Sequence, residues 1–303
     1  MFKNISTRGR LNLEGIVLSR YSSFYYVQSG NVIWECRLRG KHRLKKNNDV
    51  IAGDKVEFTK VGENQGVIEE IKARKTELYR PAIANVSQLL IVVSLKAPYP
   101  NWVLLDRLLV LGAYSNLKLL IAFNKADLVN DDSILLAKEY DKIGYKVVFT
   151  SAKEEKGIEE LQHLLNNEIT VLAGLSGVGK SSLINAIEPE LSLKIGEISS
   201  KMESGKHTTR YVQLLPLTGG GLIADTPGFS RLYLPVELKR EELRFLFPEM
   251  LEIQQGCKFS SCLHKQEPGC KVRENVEEGL LPKWRYGNYL EFLEEIISQE
   301  RKF

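Results

Sequence analysis

Eight residues that follow a short apolar run constrain the fold of this chain more than any other feature. Residues 174–181 read Gly-Leu-Ser-Gly-Val-Gly-Lys-Ser and match the pattern G-x-x-x-x-G-K-S/T. The apolar run at 169–173 predicts a buried strand, and the residues from about 181 onward predict a helix. A strand, a glycine-rich turn and a helix in this order predict an α/β domain with a mostly parallel sheet.

The glycine-rich turn predicts a phosphate-binding site. Glycines let the backbone curl so that successive N–H groups point at phosphate oxygens, and the following helix N-terminus favours negative charge. We expect Lys180 to reach the β- and γ-phosphates of a nucleotide and the Ser181 hydroxyl to bind Mg²⁺. The candidate phosphate-binding residues are Gly174, Leu175, Ser176, Gly177, Val178, Gly179, Lys180, Ser181 and Ser182.

A second motif, Asp225-Thr226-Pro227-Gly228, follows the apolar residues 222–224. Standing alone, it would be interpreted as a plain acidic turn. Beside a phosphate-binding turn, an aspartate at a strand end is placed to hold Mg²⁺ through water, with the Gly228 N–H facing the γ-phosphate. Asp225 and Gly228 are therefore candidate site residues as well.

The motif Asn124-Lys125-Ala126-Asp127, which ends the apolar run at 117–123, predicts guanine as the base. The Asp127 carboxylate can accept hydrogen bonds from N1–H and from the exocyclic amine of guanine. Adenine offers neither donor there and would leave the carboxylate desolvated and unpaired. Asn124 would connect the base to the phosphate-binding turn, and the Lys125 stem would cover the face of the ring.

Ser151-Ala152-Lys153 follows the next predicted strand and is the usual companion of the base-reading motif. It would present a backbone N–H to O6 of guanine. Its alternative is a chance match, because three small or basic residues in a row are common. The motif gains weight from its position after a strand that neighbours 117–123 in sequence.

The order of these motifs is rotated. In most guanine-nucleotide switches the phosphate-binding turn comes first, whereas here positions 124–127 and 151–153 precede positions 174–181. The same sheet can form, since its contacts do not depend on where the chain is cut. The segment after Asp225 leads directly into a cysteine-bearing region, so nucleotide state is hypothesised to move that region as a lever.

The first part of the chain predicts a small β-barrel. Five β-branched or aromatic stretches are separated by Gly, Asn and Ser turns, at residues 15–18, 24–27, 32–38, 54–58 and 66–71. This spacing suits a closed barrel such as an OB-fold, with Cys36 in its core. Six Lys or Arg residues between Arg37 and Lys46 predict either a solvated hairpin loop or a contact with the phosphate backbone of RNA.

The remaining patterns predict three domains. A charged stretch at 72–80 is expected to be a linker, after which strand and helix patterns alternate, and the polar residues 192–209 are expected to form a mobile loop. The boundaries are predicted at 1–75 for the barrel, 76–233 for the α/β domain and 234–303 for a mainly helical C-terminal domain. That last domain ends in a helix predicted at 284–297.

Cys257, Cys262, His264 and Cys270 predict one structural zinc site in the C-terminal domain. Three thiolates and one imidazole complete a tetrahedral set and leave no position open for catalysis. Free thiols are the alternative, since three cysteines cannot all pair as disulfides. Metal binding would fold a short segment that lacks a sizeable core of its own.

These motifs together resemble the circularly permuted GTPases, and among them the ribosome small subunit-dependent GTPases. The resemblance also includes the stretch Gly205-Lys206-His207-Thr208-Thr209 and covers nearly the whole chain. It implies a bacterial assembly factor that binds the small ribosomal subunit and its rRNA late in maturation. It also implies a slow, Mg²⁺-dependent hydrolysis of GTP to GDP that the subunit stimulates.

Position 229 bears on hydrolysis. It holds Phe229 where many GTPases place a glutamine that orients water, so intrinsic turnover should be slow. His207 is a candidate to position or deprotonate water, and Thr208 or Thr209 to complete the Mg²⁺ shell. The alternative for His207 is an ordinary solvent-exposed loop residue.

Length, charge and hydropathy exclude some classes of protein. The chain has 303 residues and a net charge of +4, its apolar runs are too short to span a bilayer, and we see no signal peptide. We expect a cytoplasmic monomer with no membrane partner.

The leading hypothesis is a GTP-hydrolysing switch on the ribosome. The alternatives are an RNA-binding assembly chaperone that keeps GTP as a structural ligand with negligible turnover, and a signalling GTPase that acts on a protein.

Overall fold

The computed structural model describes residues 12–39, 49–79, 81–128, 132–189, 212–225 and 233–301. They form two compact units. The first is drawn from Met1–Gln88, Glu159–Leu172 and Ser181–Phe229. The second is drawn from Leu89–Ile158, Ala173–Lys180 and Ser230–Phe303.

The first unit contains the predicted barrel. Its five strands close in the order β1-β2-β3-β5-β4, which confirms the small closed barrel. Alternate residues point inward and form a core around Val17, Trp34 and Phe58, and Cys36 is fully buried there as expected. The strands are β1 Asn12–Tyr21, β2 Phe24–Ser29, β3 Val32–Leu38, β4 Lys55–Gly62 and β5 Gln65–Ile71.

The stretch predicted as a linker is tied to the barrel. The Arg74 guanidinium donates to both carboxylate oxygens of the fully buried Asp54, at 2.7 and 2.9 Å. The Asn85 amide donates to the Gly53 carbonyl at 2.9 Å. Between these residues β6 (Glu77–Tyr79) and β7 (Ala82–Ala84) form a two-stranded sheet. This stretch is therefore held against the barrel by hydrogen bonds and an ion pair.

The α/β pattern forms a six-stranded sheet in the order β10-β9-β8-β11-β13-β12. β9 and β10 are parallel, as are β11 and β13, whereas β12 is antiparallel to β13. The mostly parallel sheet was thus predicted correctly. The strands are β8 Gln88–Ser94, β9 Lys118–Asn124, β10 Lys146–Phe149, β11 Ile169–Ala173, β12 Leu214–Pro216 and β13 Leu222–Asp225. The helices are α1 Trp102–Tyr114, α2 Asp132–Ile143, α3 Ile158–Leu165 and α4 Lys180–Ile187.

The C-terminal part is mainly helical, as predicted. It contains α5 Arg240–Leu243, α6 Lys271–Glu277 and α7 Lys283–Glu300, with short 3₁₀ turns before α6. Its hydrophobic cluster includes Phe247 and Phe292 and also Val110 of α1, so this segment and α1 share one core within the second unit. No helix in the described part of the chain is long and apolar enough to cross a membrane.

The tie between Arg74 and Asp54 gives a testable consequence. Arg74→Met leaves the buried Asp54 carboxylate without its cation, which we expect to destabilise the barrel by about 2–3 kcal/mol. This is below the loss for a fully buried pair, because the Arg74 side chain is 25% exposed. Hydrogen exchange of β1 and β4 should accelerate. Lys72→Met, which removes a partly exposed pair with Glu57, is the matched control and should change that exchange much less. Equal protection in both variants would contradict the prediction.

Candidate nucleotide site and metal cluster

The glycine-rich turn adopts the expected strand–turn–helix form. Every residue of β11 is buried, and α4 begins at Lys180, one residue before the predicted position. The Lys180 ammonium donates to the carbonyls of Gly174 and Leu175, both at 2.9 Å. These bonds hold the cation over the turn, where a phosphate chain would be met.

Two glycines of the turn cannot be replaced without strain. A Cβ on Gly174 would lie 2.3 Å from the Val92 carbonyl oxygen, and one on Gly179 would lie 2.3 Å from Nδ2 of Asn124. Both residues also have positive φ, at 139° and 99°. The turn thus needs glycine at these points because its backbone touches its neighbours directly.

Asn124 contacts both the phosphate-binding turn and the second base-reading segment. Its side chain is 2% exposed, and Nδ2 donates to the Val178 carbonyl at 2.9 Å. Its Oδ1 accepts from the Thr150 hydroxyl at 3.2 Å. The Ala126 N–H also donates to the Thr150 carbonyl at 3.1 Å. The ends of β9 and β10 are therefore held together and against the turn at 174–179.

The other base-reading candidates lie around this amide. Lys125 has a φ of +61° and donates from Nζ to the Gly177 carbonyl at 3.0 Å and to the Ala97 carbonyl at 2.5 Å. Its aliphatic stem is thereby laid beside the turn. Asp127 is half-buried in a single 3₁₀ turn, Ala126–Leu128.

The companion motif is also ordered by its own hydrogen bonds. Ser151 and Lys156 exchange backbone hydrogen bonds at 3.0 and 3.2 Å, and the Ser151 hydroxyl accepts from the Glu154 N–H at 3.1 Å. Ala152 is half-buried and Lys153 is exposed. Sequence reasoning missed Thr150, whose only signal was its place between an apolar strand and the motif.

The remaining nucleotide-site candidates belong to the first unit or lie outside the described residues. Asp225 ends β13, where it is paired with Leu172 of β11, and Ser181 and Ser182 are exposed in the first turn of α4. The described residues do not include the predicted site residues Gly228, Phe229, His207, Thr208 and Thr209, nor most of the basic run at 37–46. Of that run, Arg37 lies 4.5 Å over the Phe24 ring and Arg39 pairs with Glu69.

The structure brings the four candidate metal ligands together. The ligand atoms of Cys257, Cys262, His264 and Cys270 all lie within 4.8 Å of one another. Nδ1 of His264 is 3.7 Å from Sγ of Cys257 and 3.4 Å from Sγ of Cys270. A tetrahedral zinc ion would separate a thiolate from an imidazole nitrogen by about 3.6 Å. The donor set and its spacing therefore fit a metal ion.

Burial disfavours charge at this cluster. It lowers the pKa of His264 to about 4, with the Arg244 cation as a second cause, and raises the pKa of Cys262 to about 12. A neutral imidazole is ready to ligate, whereas the thiol must lose its proton when a metal binds. Nε2 of His264 is buried and has no hydrogen-bond partner in the described part of the chain.

Sequence reasoning also missed the side chains that hold the metal loop, which we define as residues 257–270. The Glu267 carboxylate accepts from the backbone N–H groups of Leu263, Lys265 and Gln266. The hydroxyls of Tyr286 and Tyr289 donate to the carbonyls of His264 and Leu263, at 2.6 and 2.8 Å. The i, i+3 spacing of the two tyrosines places them on one face of a predicted helix. The neighbouring sequence, however, does not indicate which residues they bond to.

Known proteins with this sequence pattern are close relatives of the chain. Residues 71–235 match the RsgA GTPase family and residues 14–68 the RsgA N-terminal domain. The chain is 50% identical over 291 residues to the small ribosomal subunit biogenesis GTPase RsgA of Moorella thermoacetica, covering 96% of this chain and 100% of that protein. The protein of the same name from Carboxydothermus hydrogenoformans is 49% identical over 290 residues, covering 95% and 99%.

Two solved structures share the fold. YjeQ from Thermotoga maritima matches with a TM-score of 0.82 and 39% identity, covering 95% of this chain and 99% of that one. YloQ, described as a circularly permuted GTPase, matches with a TM-score of 0.80 and 38% identity, covering 95% and 96%. These matches confirm the resemblance and the rotated motif order that the sequence predicted.

The Asn124 contacts predict the effect of a nearly isosteric change. Asn124→Asp replaces the donor to Val178 with an oxygen and places two acceptors face to face in a buried site. We expect faster hydrogen exchange over residues 174–179 and about ten- to hundredfold weaker binding of GDP. Asn116→Asp, at an exposed turn after α1, is the control. Unchanged exchange and affinity in Asn124→Asp would show that the amide does not hold the turn.

Proposed function

Because this chain belongs to the RsgA GTPase family, we propose that it hydrolyses GTP to GDP and phosphate during late maturation of the small ribosomal subunit. The observation that carries the proposal is the buried Asn124 amide, which bonds to the turn at 174–179 and to Thr150, directly before the second base-reading segment. The names of the relatives support the ribosomal part of the proposal, since both relatives are called small ribosomal subunit biogenesis GTPases.

Each site residue then takes a role in binding. The backbone of the turn and the Lys180 ammonium would bind the phosphates, and Ser181 with Asp225 would hold Mg²⁺, which when bound would neutralise charge on the phosphates. Asp127 reads N1–H and the exocyclic amine of guanine, and the segment Ser151–Lys153 presents an N–H to O6. Lys125, whose Nζ lies on the Gly177 carbonyl, covers the base with its stem.

Hydrolysis depends on residues near the γ-phosphate. Phe229 cannot orient water, so we propose a slow intrinsic reaction that the small subunit accelerates. His207 is proposed to position or deprotonate the water, and Thr208 or Thr209 to complete the Mg²⁺ shell. A partner that helps to orient the attacking water would raise the rate, because the protein alone does not orient it.

The barrel is proposed to contact rRNA. The exposed Arg37 stacks on the Phe24 ring, which fixes a cation on the barrel surface, and the basic run continues beyond it in the sequence. We also propose the domain division at 1–75, 76–233 and 234–303, and a cytoplasmic monomer. The alternative function, an RNA-binding chaperone with GTP as a structural ligand, rests on Phe229.

The cysteine cluster is proposed to hold one structural zinc ion. Three sulfurs and Nδ1 of His264 supply a complete tetrahedral set, and the loop between them is already fixed by Glu267, Tyr286 and Tyr289. When bound, zinc would neutralise the thiolates and fix the ends of this loop. A complete set of protein ligands leaves no open position on the metal for catalysis.

Phosphate release with and without purified small ribosomal subunits tests the proposed function. We expect tight GTP binding, slow turnover alone and strong acceleration by the subunit. Binding to the subunit without acceleration would support the chaperone, and indifference to the subunit would support a signalling GTPase. His207→Ala should abolish most of the stimulated rate, and a fully active variant would remove the histidine from the mechanism.

Metal analysis of the purified protein tests the cluster. We expect one zinc per chain and a much lower zinc content in Cys262→Ser, because three protein ligands and a water bind zinc less tightly than the full Cys₃His set. Cys36→Ser, at a buried thiol of the barrel, is the matched control and should keep the metal. Zinc retained at full occupancy by Cys262→Ser would refute the assignment.

A further inference from the structure

Helix α7 presents two sets of side chains to two different partners. Tyr286 and Tyr289, three residues apart, bond to the carbonyls of the metal loop. Arg285 and Asn288, also three residues apart, both contact Asp106 of α1: Arg285 forms an ion pair with its carboxylate, and the Asn288 amide donates a hydrogen bond to it at 2.6 Å. One helix therefore contacts both the metal cluster and the α/β elements of the second unit.

The Arg285 side is a buried polar network. Arg285 is 1% exposed and donates to the Glu249 carboxylate and to the Tyr145 hydroxyl, both at 2.6 Å. The Tyr140 hydroxyl donates to Asp106 at 2.7 Å. Such a network holds its members in one arrangement, since a lost partner leaves a buried charge uncompensated.

An aromatic cluster links this network to the base-reading segments. The Tyr140 ring lies between Trp284 of α7, at a centroid distance of 5.3 Å, and Phe123, at 6.1 Å. Phe123 in turn stacks on Phe149 at 5.7 Å. Phe123 directly precedes Asn124, and Phe149 directly precedes Thr150, the two residues whose side chains meet under the base-reading loops.

We propose that α7 is a positioning element for base recognition, acting through Arg285, Asp106 and Tyr140 on the ends of β9 and β10. The inference rests on the proposed guanine site. These residues do not touch the nucleotide. They fix the backbone from which Asn124 and Asp127 extend. Because the same helix fixes the metal loop, metal binding and guanine binding stabilise each other.

Nucleotide discrimination tests this role in the zinc-loaded full chain. Tyr140→Phe removes the hydroxyl on Asp106 and keeps the ring, and Arg285→Met removes the charge and keeps most of the stem. We expect both to weaken GDP binding by about two- to thirtyfold. We also expect a smaller ratio of GDP to IDP affinity, because inosine lacks the exocyclic amine that Asp127 reads. A merely structural role would lower the folded fraction and leave that ratio unchanged.

The control is Arg240→Met, which breaks an ion pair with Glu300 on α7 away from the network. It should keep the wild-type affinities and ratio. A ratio retained in Tyr140→Phe, which alters the site least, would overturn the inference. Failure of the wild type to prefer GDP over IDP would instead count against the proposed guanine site itself.

Reciprocity supplies an independent readout. Competition with a chromogenic chelator should show that saturating GDP raises the zinc affinity of the wild type, and that the gain shrinks in Tyr140→Phe. Equal zinc affinities with and without GDP in the wild type would exclude coupling through α7, whatever the nucleotide affinities of the variants.

Discussion

One buried amide sets the arrangement on which the nucleotide site depends. The two polar atoms of the Asn124 side chain bond to two different segments. Nδ2 donates to the Val178 carbonyl, and Oδ1 accepts from the Thr150 hydroxyl. Three loops that are separate in sequence are thereby fixed at one sheet edge. None of these contacts depends on which segment is synthesised first. This explains how the motifs can occur in rotated order along the chain and still meet at one site.

Motifs with a short spacing could be predicted from the sequence, and contacts between distant charges could not. The strand before Gly174 and the four metal ligands follow from local pattern, and so does the alternation of the barrel. Arg74 and Arg285 looked like ordinary charged residues, because nothing near them in sequence reveals a buried carboxylate elsewhere. For that reason the sequence did not predict that Arg74, in the expected linker, is bonded to Asp54 of the barrel.

The C-terminal segment is built around contacts made by two faces of one helix, α7. The metal loop lacks regular structure and is held by side-chain bonds to its carbonyls and N–H groups, from Tyr286, Tyr289 and Glu267. Its neighbours share a core with α1, which contributes Val110. The C-terminal segment is therefore ordered by its contacts with the rest of the second unit. It also supplies the Arg285 cation that pairs with Asp106 of α1.

The pairing of Asp106 with α7 has a consequence for synthesis of the protein. Asn288 bonds to Asp106 across 182 positions of sequence, and Arg285 is almost as far away. While the ribosome is still making the chain, the α1 carboxylate has no cation to accompany it into the interior. Complete packing of the second unit therefore needs α7, the last helix in the described part of the chain. Contacts of such long range are slow to form, so a nascent chain passes through a prolonged stage with this surface uncovered.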